Sequence, residues 1–433
     1  MRDNPSYSKF KYRVSRRRLL RTSLAASTGL LATGGQTAAA EAESGGFIDA
    51  DPIDARPLDG EEPDWTLYRT AEDTGTDTDM RALKVGVYDE QVGKTFITYM
   101  GAEGPAPTYV QEFNHANDKW TPKKQVGDSF DDSHNYPTMV QGDNGRLHVF
   151  HGCHNSPLRH ATPSASHTVR GEWTDEAIEE AEGASYPMPF VADNGDLYVF
   201  YRETYVLGED PGDEEYDTAY RPLRYVRSTD GGETWTNSVE LTGHAGAVND
   251  GRRDNWLNEI YAEQLHHESA GNGNPERVHF TWMISGGLDE DGEHSHGHYL
   301  QNVYYAYFTP HNLHWHTADG KDLGQSITPE EMDEHCIVEN TLESDKFTRR
   351  HSVPFDKWVN VTADGRPILL YCLRAPSGME PGGTSARSPP GRAPGGRKAI
   401  SSTTPTPSTA WSASATNRSG TTPAAAIRSI STW

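Results

Sequence analysis

Cysteine is nearly absent from this sequence. Cys153, Cys336 and Cys372 are too few and too scattered to make a disulfide framework, so cysteine usage says little about redox compartment. Long apolar runs are missing as well: beyond the N-terminus no stretch is long and apolar enough to span a bilayer. Basic residues are scarce beside acidic ones, 39 Lys and Arg against 63 Asp and Glu, for a formal net charge of -24. A surface of that sign repels nucleic acid and anionic membranes, so neither is an expected partner. It also repels an acidic polymer at long range, an objection that weakens in brine, where the Debye length at 1 M salt is only about 3 Å. Scattered Asp and Glu with few Lys match the solvated surface of a halophile, and a halophilic protein is the expectation.

What is present points to strands. Hydrophobic residues are only 34%, aromatics reach 10%, and 41 glycines and 27 prolines punctuate the chain. That mixture suits short strands joined by many turns better than a helical bundle. At 433 residues the chain is long enough to bury a large core.

Both ends differ from the body. Ser15-Arg16-Arg17-Arg18-Leu19-Leu20 precedes a mildly apolar run to about Thr33 and then Ala38-Ala39-Ala40. A twin arginine, a hydrophobic region and a small-residue cleavage site in that order read as a Tat export signal over 1–40, hence a secreted protein. Residues 41–62 read as an acidic linker and 63–375 as the folded body. From 376 to 433 one acidic residue (Glu380) stands against six basic ones, amid Ser, Thr, Pro, Ala and Gly without strand periodicity. Two readings fit this tail: a disordered stalk, or out-of-frame translation, which accounts better for the lost acidity. The second would remove the strand or blade that closes the fold and leave a sheet edge exposed.

The body repeats itself. Asp143-Asn144-Gly145-Arg146-Leu147-His148-Val149-Phe150 matches Asp193-Asn194-Gly195-Asp196-Leu197-Tyr198-Val199-Phe200, fifty residues on, and Asn135-Tyr136-Pro137 matches Ser185-Tyr186-Pro187 at the same offset. Ala363-Asp364-Gly365-Arg366 opens another such turn and strand. A period near 50 with several strands per unit is the mark of a β-propeller. Ser228-Thr229-Asp230-Gly231-Gly232-Glu233-Thr234-Trp235 is a complete Asp-box, a structural hairpin device without catalytic chemistry.

Four residues are candidates for chemistry. His134 lies just before one strand and His154 just after it, while Tyr186 occupies the next repeat's equivalent of Tyr136, and Arg202 closes Tyr198-Val199-Phe200-Tyr201-Arg202. Strand starts and innermost strands line a propeller's axis, so the four can converge at one mouth. A single His at a turn caps or packs more often than it catalyses, and Tyr before Pro is commonly core. The weight lies in the joint pattern.

On these motifs the stretch from about Ala82 to Leu373 resembles the BNR-repeat (Asp-box) β-propeller family that includes the ulvan lyases. The resemblance implies an all-β, seven-bladed β-propeller, here with its last blade missing or disrupted. It implies a polysaccharide lyase that cleaves an acidic, sulfated, uronate-containing polymer by β-elimination, with His134, His154, Tyr186 and Arg202 catalytic. Asn135, Asn155 and Tyr201 adjoin that set and are expected to bind substrate. The residue types suit the reaction. Arg202 can grip a carboxylate bidentately and stabilise the enolate-like intermediate, Tyr186 and His134 can move the C5 and O4 protons in either order, and His154 can help neutralise the carboxylate. The resemblance also implies a structural zinc, for which His294, His298 and His316 with Cys336 are candidate ligands; a solvated His-rich loop is the alternative. No organic cofactor is expected, and the protein is expected to be a monomer. The competing functions are a sialidase-like glycoside hydrolase, which needs convergent arginines not seen here, and a propeller that only binds carbohydrate.

Overall fold

The computed structural model describes residues 85–342 and 357–373, apart from 102–104, 133, 208–214, 218–219, 272, 290, 363–364 and 372, together with the backbone of three further strands. The chain divides into two compact units, Met1–Glu72 and Asp73–Ser431. Of the first, the antiparallel pair β1 (Arg13–Ser15) and β2 (Trp65–Leu67) is described. The expected export signal and acidic linker otherwise lie outside the described residues.

Five antiparallel sheets follow one another along the second unit. The first holds β3 (Gly86–Asp89), β4 (Lys94–Met100), β5 (Ala106–Asn114), β6 (Lys119–Trp120) and β7 (Lys124–Phe130). In the second, β8 (Thr138–Gln141) and β9 (Leu147–His151) are followed by β10 (His154–Ser156), which leaves to join the next sheet, and then by β11 (Arg159–Pro163) and β12 (Trp173–Ala177). The third holds β10, β13 (Ala184–Val191), β14 (Leu197–Glu203), and, after a separate hairpin of β15 (Tyr205–Leu207) and β16 (Glu215–Asp217), β17 (Leu223–Ser228) and β18 (Thr236–Asn237). Helix α1 (Ser238–Thr242) leads to the fourth, made of β19 (Glu259–Glu268), β20 (Arg277–Leu288), β21 (His294–Thr309), β22 (His314–His316), β23 (Asp322–Gly324) and, after helix α2 (Pro329–His335), β24 (Ile337–Glu339). The fifth holds β25 (Lys357–Val361), β26 (Pro367–Tyr371) and β27 (Ser385–Arg387), so it draws its third strand from within the stretch read as a tail.

The leading strands of successive sheets pack together: β8 on β3 and β4, β13 on β8, β19 on β13, and β25 on β19. This succession is a propeller-like arrangement, and the fold is all-β. Among the described residues it comprises five sheets, short of the expected seven, with no closed ring.

The fifty-residue repeat has a physical basis in one turn used three times. Gly142 N–H donates to Arg146 O at 2.9 Å and Gly145 N–H to Gly142 O at 2.8 Å. Ala192 with Asp196 and Gly195 repeats those bonds at 2.9 and 2.8 Å, and Thr362 with Arg366 and Gly365 at 2.9 and 2.9 Å. Each turn delivers the chain into a strand whose apolar side chains fill the layer between neighbouring sheets. Leu147 and Val149 pack with Phe96 and Val110, Leu197 and Val199 with Val140 and Phe150, and Phe200 with Phe280 and Trp315.

The Asp-box closes the turn from β17 to β18. Asp230 Oδ1 accepts from the N–H groups of Glu233 at 3.1 Å and Thr234 at 2.9 Å, and its Oδ2 from the Thr234 hydroxyl at 2.6 Å. Trp235 then reaches the second sheet, edge-on to Phe150 and His160 at centroid distances of 5.7 and 5.5 Å. The motif thus ties two sheets together.

His160 in turn meets His148, Nε2 to Nδ1 at 3.0 Å. Burial, helped by neighbouring positive charge, pushes His148 down to about 4 and His160 to about 3, and burial likewise pushes His279 to about 3. Below the ordinary value of 6.5 the unfolded chain binds protons at these sites and the native chain does not. Their contribution is therefore intact above about pH 6.5 and is lost as pH falls towards 4 and 3. The guanidinium midpoint should drop steadily between pH 7 and 4, and a His160→Phe variant should lose part of that slope. A midpoint flat over this range would contradict the buried neutral histidines.

Candidate active site

Three adjacent strands carry one end of the site. Ser185 of β13 pairs with His154 of β10 on one side and with Arg202 of β14 on the other. The register shifts between Ser185 and Met188, and inside that bulge Tyr186 takes φ +62°. A bulge re-aims a side chain that regular alternation would send elsewhere. A positive φ in a bulky non-glycine residue is the kind of strain that concentrates at functional sites. Tyr186 is thereby directed at its neighbours: its hydroxyl lies 3.4 Å from His154 Nε2, and the Arg202 guanidinium sits 4.7 Å over its ring.

His134 arrives from the loop before β8 and stacks on His154, with ring centroids 4.3 Å apart and planes 22° from parallel. One carboxylate holds both. Asp132 Oδ1 is 2.7 Å from His134 Nδ1 and also accepts the His134 N–H at 2.7 Å, while its Oδ2 is 2.6 Å from His154 Nδ1. Burial works against the Asp132 charge, and the hydrogen bonds from His134 and His154 outweigh it, holding the carboxyl below its ordinary range. An ionised carboxylate only accepts, so each imidazole donates to it from Nδ1 and turns its Nε2 away from it. Burial pushes His154 down to about 4, against the pull of Asp132 and with the push of His134 and Arg202, so it is neutral at neutral pH.

Arg202 is the centre of the constellation. It is 2% exposed, with Tyr186 and Tyr261 rings each 4.7 Å from its guanidinium. A buried cation between two aromatic faces gains cation–π attraction in place of water. Burial opposes its charge, and Tyr261, Tyr186 and Glu259 more than offset that, raising it above its ordinary value. Its Nη2 lies 3.4 Å from Asn155 Oδ1 and 3.4 Å from Ser185 Oγ, while Nε and Nη1 are buried without a hydrogen-bond partner among the described residues. Both nitrogens are closed to solvent by the surrounding side chains, and Nε–H and Nη1 point to opposite sides of the guanidinium, so the pair is not a fork for one carboxylate.

A second tier continues into β19 and β21. Glu259, fully buried, lies 2.7 Å from His296 Nδ1 and 3.2 Å from His294 Nε2, and those two partners hold it down to about 2 against burial. His296 Nε2 is 3.2 Å from both the Tyr261 hydroxyl and Arg221 Nη1. Burial and then the charge of Arg202 depress Arg221, which brings a second cation to the same region.

The structure thus brings His134, His154, Tyr186 and Arg202 together. It treats the expected substrate binders differently. Asn155 turns inward: Oδ1 takes the Thr204 hydroxyl at 2.5 Å besides Arg202 and Ser185, so it fixes the arginine rather than facing substrate. Asn135 is buried, with its N–H on Asp132 O at 3.4 Å. Tyr201 is a correction. Next to Arg202 in β14 it faces the opposite side, fully buried, with its hydroxyl on Glu180 O at 3.3 Å, and it cannot touch a substrate held by Arg202.

The expected zinc ligands do not converge. His294 begins β21, whereas His316 pairs with Tyr307 near the other end of that strand, a separation on the order of 40 Å at strand rise. His298 packs edge-on against Tyr299 and Cys336 is buried beside Tyr305. Among the described residues, three possible ligand atoms lie within 4.8 Å of one another in Asp132, His134 and His154 and in Asp193, His267 and Glu276, and neither group contains a residue of the expected set. A zinc held by those four residues does not fit this structure.

Residues 94–377 match the BNR repeat-containing family. The chain belongs to that family. This BNR repeat-containing chain is similar to the ulvan lyase of Pseudoalteromonas sp. (strain PLSV), 25% identical over 324 residues that cover 67% of this chain and 59% of that one. It is 23% identical over 291 residues to an ulvan lyase of Alteromonas sp. (strain LOR), covering 60% and 54%. The chain therefore spans less than two thirds of the length of these curated relatives. A solved PL25 ulvan lyase aligns with a TM-score of 0.54 and 19% identity over 74% of each chain, a likeness of fold.

Asp132 was not singled out by its motif, nor were Tyr261, Glu259 and Arg221. The rule that selected Tyr186, a residue at the start of an inner strand, would have selected Glu259 and Tyr261 had it been carried to the fourth sheet. Asp132→Asn should leave the fold in place, lower turnover by about 10²-fold or more, and move the His154 titration to still lower pH, because Asp132 raises it. NMR titration of His154 checks this; a curve that does not move would show that Asp132 does not govern its state.

Proposed function

We propose that the protein is a secreted polysaccharide lyase that cleaves an acidic, sulfated, uronate-containing polysaccharide of the ulvan type by β-elimination. The observation that carries the reading is the convergence of a buried Arg202 guanidinium, two stacked imidazoles and the Tyr186 hydroxyl in one place. Abstraction of a C5 proton next to a carboxylate is slow until that carboxylate's charge is neutralised, and a fixed cation in a dry site stabilises the enolate-like state without reorganising. Arg202 takes that part. His134, partly exposed and held through Nδ1 by Asp132, takes the C5 proton on Nε2. The electron pair forms the C4–C5 double bond as the C4–O4 bond breaks, and Tyr186 delivers a proton to O4; afterwards His134 releases its proton to water and the Tyr186 oxygen regains one from water.

The relatives support this reading. Two are named ulvan lyases, and one solved neighbour, with a TM-score of 0.53 and 19% identity, holds -[GlcA(1-4)Rha3S]-, a uronate linked to a sulfated sugar. The twin-arginine signal supports export, the acidic composition a saline medium, and the family a monomeric ring of seven blades to which the five sheets would contribute. Hydrolysis by a carboxylate pair is disfavoured, because Asp132 is engaged by two imidazoles and Glu259 is buried between two more.

Elimination leaves an unsaturated uronate that absorbs in the ultraviolet, and hydrolysis does not. The folded protein in high salt should generate that absorbance from ulvan rather than from alginate, pectate or glycosaminoglycans. New reducing ends without absorbance would overturn the lyase reading. Tyr186→Phe should cut turnover about 10²–10⁴-fold with unchanged thermal unfolding, and a variant of near-normal rate would remove Tyr186 from the proton transfers.

A further inference from the structure

Beyond the reacting residues, one exposed aromatic side chain stands at the end of the charged strip. Four large hydrophobic side chains are exposed among the described residues: Val85, Tyr88, Val92 and Trp256. The first three belong to the β3–β4 region of the first sheet. Trp256, 39% exposed, is the one that meets the strip, its ring centroid 6.0 Å from that of His294. From there contacts run without a break: His294 to Glu259 at 3.2 Å, Glu259 to His296 at 2.7 Å, His296 to the Tyr261 hydroxyl at 3.2 Å, and Tyr261 to the Arg202 guanidinium at 4.7 Å.

Nothing in the packing accounts for a tryptophan here. Its backbone has φ +62°, a conformation that a bulky side chain adopts only at a cost and that glycine adopts freely. The position is nevertheless over-determined. Gly287 N–H donates to Trp256 O at 2.8 Å, and a Cβ on Gly286 would come within 2.5 Å of that same oxygen. The arm formed by β20 and β21 is therefore shaped to approach this backbone, which fixes the indole at the surface in a strained conformation. Strain held in place by its surroundings, on a residue whose ring is left open, points to a role for the ring.

We propose that Trp256 is the stacking platform of a second sugar subsite, beside His294 and His296, which receives a pyranose ring of the same polymer several contacts away from the cleaved linkage. The polarised C–H bonds on one face of a pyranose suit the negative face of an indole. The inference rests on the lyase reading for the identity of the polymer, and on the geometry around Trp256 for the location of the subsite.

Binding of ulvan to the Tyr186→Phe protein by calorimetry, in the presence or absence of a second change, tests it. Adding Trp256→Gly should weaken affinity about tenfold or more while leaving the unfolding temperature unchanged or raised, because glycine relieves the backbone. Adding Trp256→Tyr should keep affinity within about threefold. Affinity within twofold of the parent for the glycine variant would overturn the subsite, and so would a lowered unfolding temperature, which would make Trp256 structural. If the Tyr186→Phe protein itself binds no uronate polymer, the lyase reading fails first and the subsite with it.

Discussion

A guanidinium held almost wholly out of water between two tyrosine rings is the constraint around which the site is built. Burying Arg202 is tolerable only because the rings of Tyr186 and Tyr261 face it and Asn155 and Ser185 meet one of its nitrogens. Those four residues come from β10 and β13 of the third sheet and β19 of the fourth, so the cation ties two sheets to one another. The detour of β10 out of the second sheet and the bulge in β13 are intelligible in this light. Without them neither His154 nor Tyr186 would face the arginine.

Around that cation the protein arranges its anions so that none neutralises it directly. Asp132 is committed to two imidazoles and Glu259 to two others. Each carboxylate fixes the tautomer and position of a pair of rings, and each is stabilised in its charged form by them. The same device therefore occurs twice, once beside Tyr186 and once beside Tyr261. What remains is a buried guanidinium with no carboxylate in direct contact, in a protein of net charge -24.

The fold was legible because its repeat is local. The Asp-Asn-Gly turns and the Asp-box each encode a hydrogen-bond pattern within a few residues, and apolar alternation then sets which face meets the next sheet. His134, His154, Tyr186 and Arg202 were legible by their equivalence between repeats. Tyr201 was misjudged by its proximity in sequence to Arg202, although in a strand adjacent residues face apart. The histidines near 294–316 were misjudged because nearness in sequence is not nearness in space when a sixteen-residue strand separates them. Asp132 and Glu259 were hidden for another reason. In so acidic a chain, a carboxylate that acts is indistinguishable by composition from the many that only solvate the surface.

The central claim is that Arg202 is the receptor for a uronate carboxylate. It is tested most directly by comparing the wild-type protein on a uronate polymer and on the same polymer with its carboxyl groups reduced to alcohols, at one fixed salt concentration. The account predicts that reduction abolishes cleavage and weakens binding about tenfold or more, as loss of a charge-assisted contact requires. Equal binding and continued cleavage of the reduced polymer would contradict it.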